Sequence, residues 1–279
     1  MVVRYYRYIV QFLILILAVL AITIFQLPDS NLHVIACDVG QGDAILITYK
    51  NIQILTDGGP DTKVMDCLSK HVPFYDREIE LIISTHPDAD HSTGLITVLK
   101  RYKVDNIMIN DLDSGTATIK ALNNEVGSRG IHVIRPVTGL KLRVGLIYLD
   151  VLHPTQGFTS TQTNSYSIVD KLTFGNFKAI FTGDIGPDIS DSLINNYLIE
   201  PVNYLKVPHH GSKNGLTQNL LEKLKPEIAV ISVGKKNRYG HPSQEILEML
   251  NKYKLQILRT DEMRDVEVIS NGKSFWVKK

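Results

Sequence analysis

Hydrophobic and polar positions divide the chain into two unlike parts. Residues Ile9 to Leu27 run for 19 positions without a charge, and Gln11, Thr23 and Gln26 are the only polar members. As a helix this run would be about 28 Å long, close to the hydrocarbon thickness of a bilayer. It has no polar face to turn toward water, so it does not read as a core helix. Arg4 and Arg7 precede it, no Lys or Arg follows until Lys50, and Tyr5, Tyr6 and Tyr8 fall where headgroups would lie. The charge bias predicts a cytoplasmic N-terminus and an extracytoplasmic remainder. A cleaved signal peptide would have a shorter apolar core followed by a small-x-small site. Here Ala18 and Ala21 lie inside the run, and Gln26-Leu27-Pro28 offers no such site. Residues 1–31 therefore read as an uncleaved single-pass membrane anchor, and 32–279 as the domain it carries.

From Leu32 onward the pattern is that of one α/β unit without a linker. Short β-type runs stand at Leu32–Cys37, Ala44–Thr48 and Ile52–Leu55, separated by Gly40, Gly42 and Lys50-Asn51. Leu81–Ser84 reads as a buried strand, and Leu95–Tyr102 as a helix with Leu95, Val98 and Leu99 on one face. A strand at Asn106–Ile109 and a helix at Thr116–Val126 come next. The second half repeats the rhythm. Strands are predicted at Ile147–Leu152, Tyr166–Phe174, Lys178–Phe181, Val202–Val207, Ala229–Val233 and Gln256–Thr260. Helices are predicted at Pro187–Tyr197, Leu216–Leu224 and Ser243–Tyr253. Two β-then-βα halves imply two mixed sheets covered by helices.

Composition narrows the function. The 279 residues are 44% hydrophobic and 21% charged, ordinary for a folded protein and unlike a disordered or polytopic membrane chain. Removing Arg4, Arg7 and Asp29 from the 30 basic and 29 acidic residues leaves 28 of each beyond the anchor. Any contact with a polyanion must come from a local patch. Cys37 and Cys67 form no Cys-x-x-Cys spacing, which excludes zinc-finger and thioredoxin-like sites.

The candidate chemistry gathers at strand ends. Thr85-His86-Pro87-Asp88-Ala89-Asp90-His91 places four metal-competent side chains within six residues, between a strand and a helix expected to begin near Gly94. Imidazole and carboxylate together suit Zn, Mn or Fe. Residues two apart point alike in an extended segment, so His86, Asp88 and Asp90 are expected to converge, with His91 added from the turn. A plain polar loop would need one helix cap, Asp90 or Ser92, rather than two His and two Asp. Thr182-Gly183-Asp184 ends another apolar run. His209 and His210 come after a third strand, and adjacent histidines point apart, so one of them at most is expected to ligate. Asp57 before Gly58-Gly59 reads as part of a tight structural turn. His241 in a loop is a weaker candidate, and His153 stays in reserve, whereas His33, His71 and His132 read as structural or surface residues.

The order Asp-Gly-Gly, His-x-Asp-x-Asp-His, Thr-Gly-Asp, His-His-Gly-Ser resembles the metallo-β-lactamase superfamily. That family's central motif is usually His-x-His-x-Asp-His, and Asp88 stands where its second histidine is expected. This variant, with Asp38-Val39-Gly40-Gln41-Gly42-Asp43-Ala44, Lys206-Val207-Pro208-His209-His210-Gly211-Ser212 and Gly240-His241-Pro242, resembles the hydrolase domain of competence proteins of the ComEC type. The resemblance covers about Leu32 to the C-terminus. It implies a four-layer αββα sandwich with two divalent metal ions, Zn or Mn. It further implies that His86 and Asp88 bind one ion and that Asp90 and His91 bind the other with His210 or His209, while Asp184 bridges. The third histidine usual in the first site falls near Asn164-Ser165-Tyr166-Ser167, so Asn164, His153 or water must fill that place. The additional oxygen donors make Mn²⁺ a rival to Zn²⁺. Asp38, Asp43, Asp57, Gly58 and Gly59 enter as structural motif residues.

The activity this resemblance implies is hydrolysis by a water activated between two cations, with Asp90 orienting it and His209 or His241 protonating the leaving oxygen. A phosphodiester, DNA foremost, is the expected substrate, because Lys206, Lys213, Lys235, Lys236 and Arg238 lie in or beside the histidine loops, with Ser212 and Asn164 as further substrate contacts. A separate channel subunit is the expected partner. The competing readings are a hydrolase of another extracytoplasmic ester, such as a choline-phosphate or teichoic-acid ester, and a non-catalytic module of a DNA-uptake complex. A β-lactamase is disfavoured by Asp88 and by the basic patch.

Overall fold

The charge-free N-terminal run forms helix α1 (Val2–Phe25), whose apolar side chains, Leu13 and Leu17 among them, stand exposed. It is long and apolar enough to cross a membrane. This computed structural model describes residues 2–110 and 115–278. After α1 come β1 (Leu32–Ala36), β2 (Ile45–Tyr49), β3 (Ile52–Thr56), α2 (Val64–His71), β4 (Glu78–Ser84), α3 (Ala89–Arg101), β5 (Lys103–Ile109), α4 (Ala117–Arg129) and β6 (His132–Ile134). The second half holds β7 (Lys141–Val144), β8 (Ile147–His153), β9 (Val169–Phe174), β10 (Phe177–Phe181), α5 (Pro187–Asn195), β11 (Tyr204–Lys206), α6 (Gln218–Leu224), β12 (Ile228–Ile231), α7 (Gln244–Lys252) and β13 (Gln256–Arg259). It closes with α8 (Thr260–Met263), β14 (Val266–Ser270) and β15 (Phe275–Val277).

These strands make two mixed sheets, ordered β15-β14-β1-β2-β3-β4-β5-β6 and β13-β12-β11-β10-β9-β8-β7. Each begins as an antiparallel meander and turns parallel where helices supply the crossovers, at β3 in the first sheet and β10 in the second. Strand alternation divides the apolar side chains between two layers. Leu81 and Ile83 of β4 face the other sheet while Ile82 faces the helices, and Ile228 and Val230 of β12 face inward while Ala229 and Ile231 face out. Three cores result. One lies between the sheets, one joins the first sheet to α2, α3 and α4 through Leu68, Leu95 and Leu122, and one joins the second sheet to α5, α6 and α7 through Ile189, Leu221 and Leu250. This is the expected αββα sandwich.

Several boundaries differ from the sequence reading. Helix α3 begins at Ala89, five residues before Gly94, so Asp90 and His91 lie in its first turn. The expected strand from Tyr166 starts only at Val169, after a 3-10 turn over Asn164–Tyr166. Helix α2 and strands β6, β7, β14 and β15 were not expected. The last two cross back to the first sheet, β14 pairing with β1 in antiparallel register from Leu32↔Ser270 to Ala36↔Val266. The Asn271-Gly272 pair between them is a strong hairpin signal that was available in the sequence. Cys37 and Cys67 form a disulfide that ties the end of β1 to α2.

Candidate metal centre

Parallel strands deliver their loops to one edge of the sandwich, where α/β sheets gather ligands. The turn after β3 brings Asp57, the β4–α3 connection His86 to His91, the end of β10 Asp184, and the end of β11 His209 and His210. The approach of the first two is made possible by missing side chains. A Cβ on Gly94 would lie 1.9 Å from the Gly58 carbonyl oxygen, and one on Gly58 would lie 2.5 Å from the Leu95 nitrogen. With neither present, Gly58 N–H donates to His91 O at 2.7 Å and Gly94 N–H to Gly59 O at 3.0 Å. The Asp57 turn is thereby docked against the first turn of α3. Gly42 does the same for the loop ending in Asp43, since a Cβ there would meet Asp90 O at 2.1 Å.

Proton positions follow from the hydrogen bonds. The Asp57 carboxylate accepts from Thr85 N–H at 2.8 Å and from the Thr85 hydroxyl at 2.6 Å. That hydroxyl has no second proton, so at 3.0 Å it accepts from His86 Nδ1–H. His91 Nδ1–H donates to Asp57 at 2.8 Å, and His210 Nδ1–H donates to Ser232 O at 2.9 Å. All three imidazoles therefore turn Nε2 inward, the arrangement that outer hydrogen bonds impose on metal-ligating histidines. His86 Nε2, His91 Nε2, His210 Nε2 and Asp184 Oδ1 are buried and have no hydrogen-bond partner among the described residues. Asp184 Oδ2 lies 3.4 Å from His91 Nε2 and 3.3 Å from His210 Nε2. His86, His91 and Asp184 bring ligand atoms within 4.8 Å of one another, and so do Asp90, His91 and His210.

Four orphaned, inward-facing donor atoms of imidazole and carboxylate type are what a divalent cation requires. Electrostatics agree. Burial alone would lower the pKa of His91, but Asp184 and Asp57 overcome it and hold the imidazole well above its usual value. The same contest at His210, against Asp184 and Asp43, has the same outcome. The cluster thus takes up positive charge, whether as protons or as metal. His86 differs: burial, reinforced by the charge on His91, pushes it down to about 3, so it is neutral and free to donate its lone pair.

Several expected residues are placed otherwise. His86, Asp88 and Asp90 do not share one extended segment, because α3 begins at Ala89: Asp88 stays beside His86, and Asp90 turns toward His210. Asp88 precedes the helix without a side-chain cap bond, and its Oδ2 lies 3.8 Å from His86 Nε2, while Asp90 Oδ2 lies 3.6 Å from His210 Nε2. His210 faces Asp184. His209 stands at the rim with its side chain 29% exposed, its Nε2 3.9 Å from Asp184 and 3.5 Å from the Asn164 amide. His153 is in none of the groups of converging ligand atoms among the described residues; its Nε2–H donates to Ser165 O at 2.8 Å and its ring packs edge-on against Phe158 at 4.6 Å. Lys206 is not a surface cation for substrate. It is 1% exposed, ion-paired with Asp43, and donates to Gly183 O at 3.0 Å. Ser212 is buried and accepts from Asn214 N–H at 3.3 Å, shaping its own loop. Lys213 is exposed. Asp38 accepts from Gly40 N–H at 3.3 Å, at the surface. Asp43, expected as a structural motif residue, lies inside the centre, its Oδ1 3.5 Å from His210 Nδ1. Ser167, which the sequence did not single out, accepts from Asp184 N–H at 2.9 Å.

An αββα sandwich carrying this His/Asp centre at its sheet edge defines a metal-dependent hydrolase of the metallo-beta-lactamase superfamily, and the chain belongs to that superfamily, whose profile matches residues 37–235. The chain is 27% identical over 257 residues to ComE operon protein 3 of Bacillus subtilis, covering 86% of this chain and 33% of that protein. It is 25% identical over 241 residues to Competence protein ComA of Neisseria gonorrhoeae, covering 84% of this chain and 32% of the relative. The chain thus spans about a third of the length of these curated relatives. In structure it is similar to YhfI of Bacillus subtilis, a metallo-beta-lactamase fold protein, with a TM-score of 0.55 at 12% identity over 88% of this chain and all of that one. The fold binds divalent metals, typically two.

Proposed function

We propose that this chain is a membrane-tethered, extracytoplasmic phosphodiesterase acting on DNA. The observation that carries the reading is a buried centre of converging His and Asp donors, with the exposed cations Lys213, Lys235, Lys236 and Arg238 in the loops that carry His210 and His241. His86, Asp88, Asp90, His91, His210 and Asp184 would hold Zn²⁺ or Mn²⁺. Bound there, such ions supply Lewis acidity and a water that ionises near neutral pH. The chain's own groups do the rest. Asp184 faces both sides of the centre. Asp90, partly exposed, orients the attacking water. His209, beside Asn164 at the rim, and His241 beyond it are placed to give a proton to the leaving oxygen. The loop cations hold the phosphates on either side. In this reading, residues 1–31 are the anchor, 32–279 the hydrolase, and the DNA-carrying channel is a partner subunit.

Three observations support the location and substrate. Arg4 and Arg7 lie in the first turns of helix α1, before its charge-free stretch. The Cys37–Cys67 disulfide suits an oxidising compartment outside the cytoplasm. A relative bears the name of a competence protein. The test uses the full chain in detergent, loaded with Mn²⁺ or Zn²⁺, on single-stranded DNA, duplex DNA and bis-p-nitrophenyl phosphate. Cleavage lost in Asp184→Asn is expected. A fully metallated protein that cleaves none of the three would overturn the reading.

A further inference from the structure

Beyond the metal centre a line of rings leads out to solvent. The His209 ring lies 5.8 Å from that of His241, edge to face, and His241 stacks on Tyr239 at 5.7 Å with 23° between planes. The Arg238 guanidinium lies 5.6 Å from the Tyr239 centroid. Tyr239 is 58% exposed. The loop that presents it is fixed. Asn237 Nδ2 donates to Gly234 O at 2.9 Å and to His241 O at 2.7 Å, while its Oδ1 accepts from Tyr239 N–H at 3.2 Å and His241 N–H at 3.0 Å. Ser243 N–H donates to Gly211 O at 2.9 Å, joining the loop's end to the histidine loop itself. Lys235, Lys236 and Arg238 lie within four residues of Tyr239 in the chain and are exposed.

We infer that the Tyr239 ring and the Arg238 guanidinium over it together form a stacking subsite for a nucleobase of the strand whose phosphodiester occupies the centre. The inference rests on the nuclease reading and names a specificity residue for it. An exposed aromatic face beside cations is the combination with which proteins hold unpaired nucleic acid: cations follow the phosphates and rings take the bases. A duplex keeps its base faces stacked on one another, so such a platform favours a strand with free bases. An ester without an aromatic group, such as a polyol phosphate, would have no use for it.

The test compares a short thymidylate strand with a strand of equal length made of abasic sugar phosphates, using the full chain in detergent with Mn²⁺. Tyr239→Ala should raise KM for the thymidylate strand about tenfold with kcat little changed. Tyr239→Phe, which keeps the ring, should restore the wild-type KM, and neither variant should shift KM for the abasic strand. An equal shift on both strands, a shift in Tyr239→Phe equal to that in Tyr239→Ala, a loss of kcat alone, or no shift at all would overturn the inference. Wild-type protein that cleaves neither strand would remove the nuclease reading and this one with it. Wild-type cleavage with an unmoved Tyr239→Ala would remove this one alone.

Discussion

Asp57 acts on the centre through other residues. It fixes His91 by accepting from Nδ1–H and fixes His86 through the Thr85 hydroxyl. Asp57→Asn exchanges an acceptor for a donor at that junction, and loss of such an outer partner weakens metal affinity roughly 10–100-fold. Metal titration of folded Asp57→Asn protein checks this, and unchanged affinity would leave Asp57 only its turn. Asp184 faces His91 and His210 together, so Asp184→Asn should lower the bound metal below that of the wild type by elemental analysis. Asp88 supplies an oxygen near His86 where a nitrogen is usual in related sites. Asp88→His should lower the ratio of Mn²⁺- to Zn²⁺-supported activity, and an unmoved ratio in loaded protein would remove Asp88 from the ligands. The gathering of His86, His91 and Asp184 at one sheet edge was legible because metal-competent residues cluster at apolar strand ends, whereas the choice between His209 and His210 was open in the sequence and is made by the backbone, which turns His210 toward Asp184. Lys206 was not legible, for a physical reason. Its counter-ion Asp43 is 163 positions away in sequence, and nothing local in Leu205-Lys206-Val207 distinguishes a buried ion-paired lysine from a surface one.

Elements were legible where the apolar period was long, as in α3 and α7, and less so where tertiary contacts set the ends. The start of α3 at Ala89 depends on docking against the Asp57 turn, which no local pattern encodes. Strand β9 carries a buried carboxyl, Asp170, with neither oxygen hydrogen-bonded among the described residues. Burial, with the charge of Asp57 added, pushes its pKa up to about 8. The folded state therefore keeps a proton that the unfolded chain releases near pH 4, and this position costs stability increasingly as pH rises from about 4 to 8, at up to about 1.4 kcal/mol per unit. Urea unfolding across that range should show Asp170→Asn gaining on the wild type as pH rises, and parallel profiles would contradict it. The Cys37–Cys67 bridge closes a loop with a sequence separation of 30, for which chain entropy gives roughly 3–4 kcal/mol. Cys37→Ser with Cys67→Ser should lose about that much in the same assay, and the reductant should then have no further effect.

On the scale of the whole molecule, the charges beyond residue 31 balance and the apolar side chains of α1 stand exposed, so the proposed membrane attachment would run through α1 rather than through a basic surface. Full-length protein should sediment with membranes and resist carbonate extraction, and external protease should digest the C-terminal domain in spheroplasts. Protection from protease would reverse the topology. Strand β1 comes soon after α1, and it is hydrogen-bonded on both sides, by β2 and by β14. A DNA strand gripped at the centre while α1 stays in the bilayer would put tension along β1. Two antiparallel ladders, each five residue pairs long, would then bear the load in shear, so that their bonds must give way together and not one after another. Under the proposed function, the β14–β15 return to β1 would then act as a mechanical mooring for an enzyme working on a moving polymer.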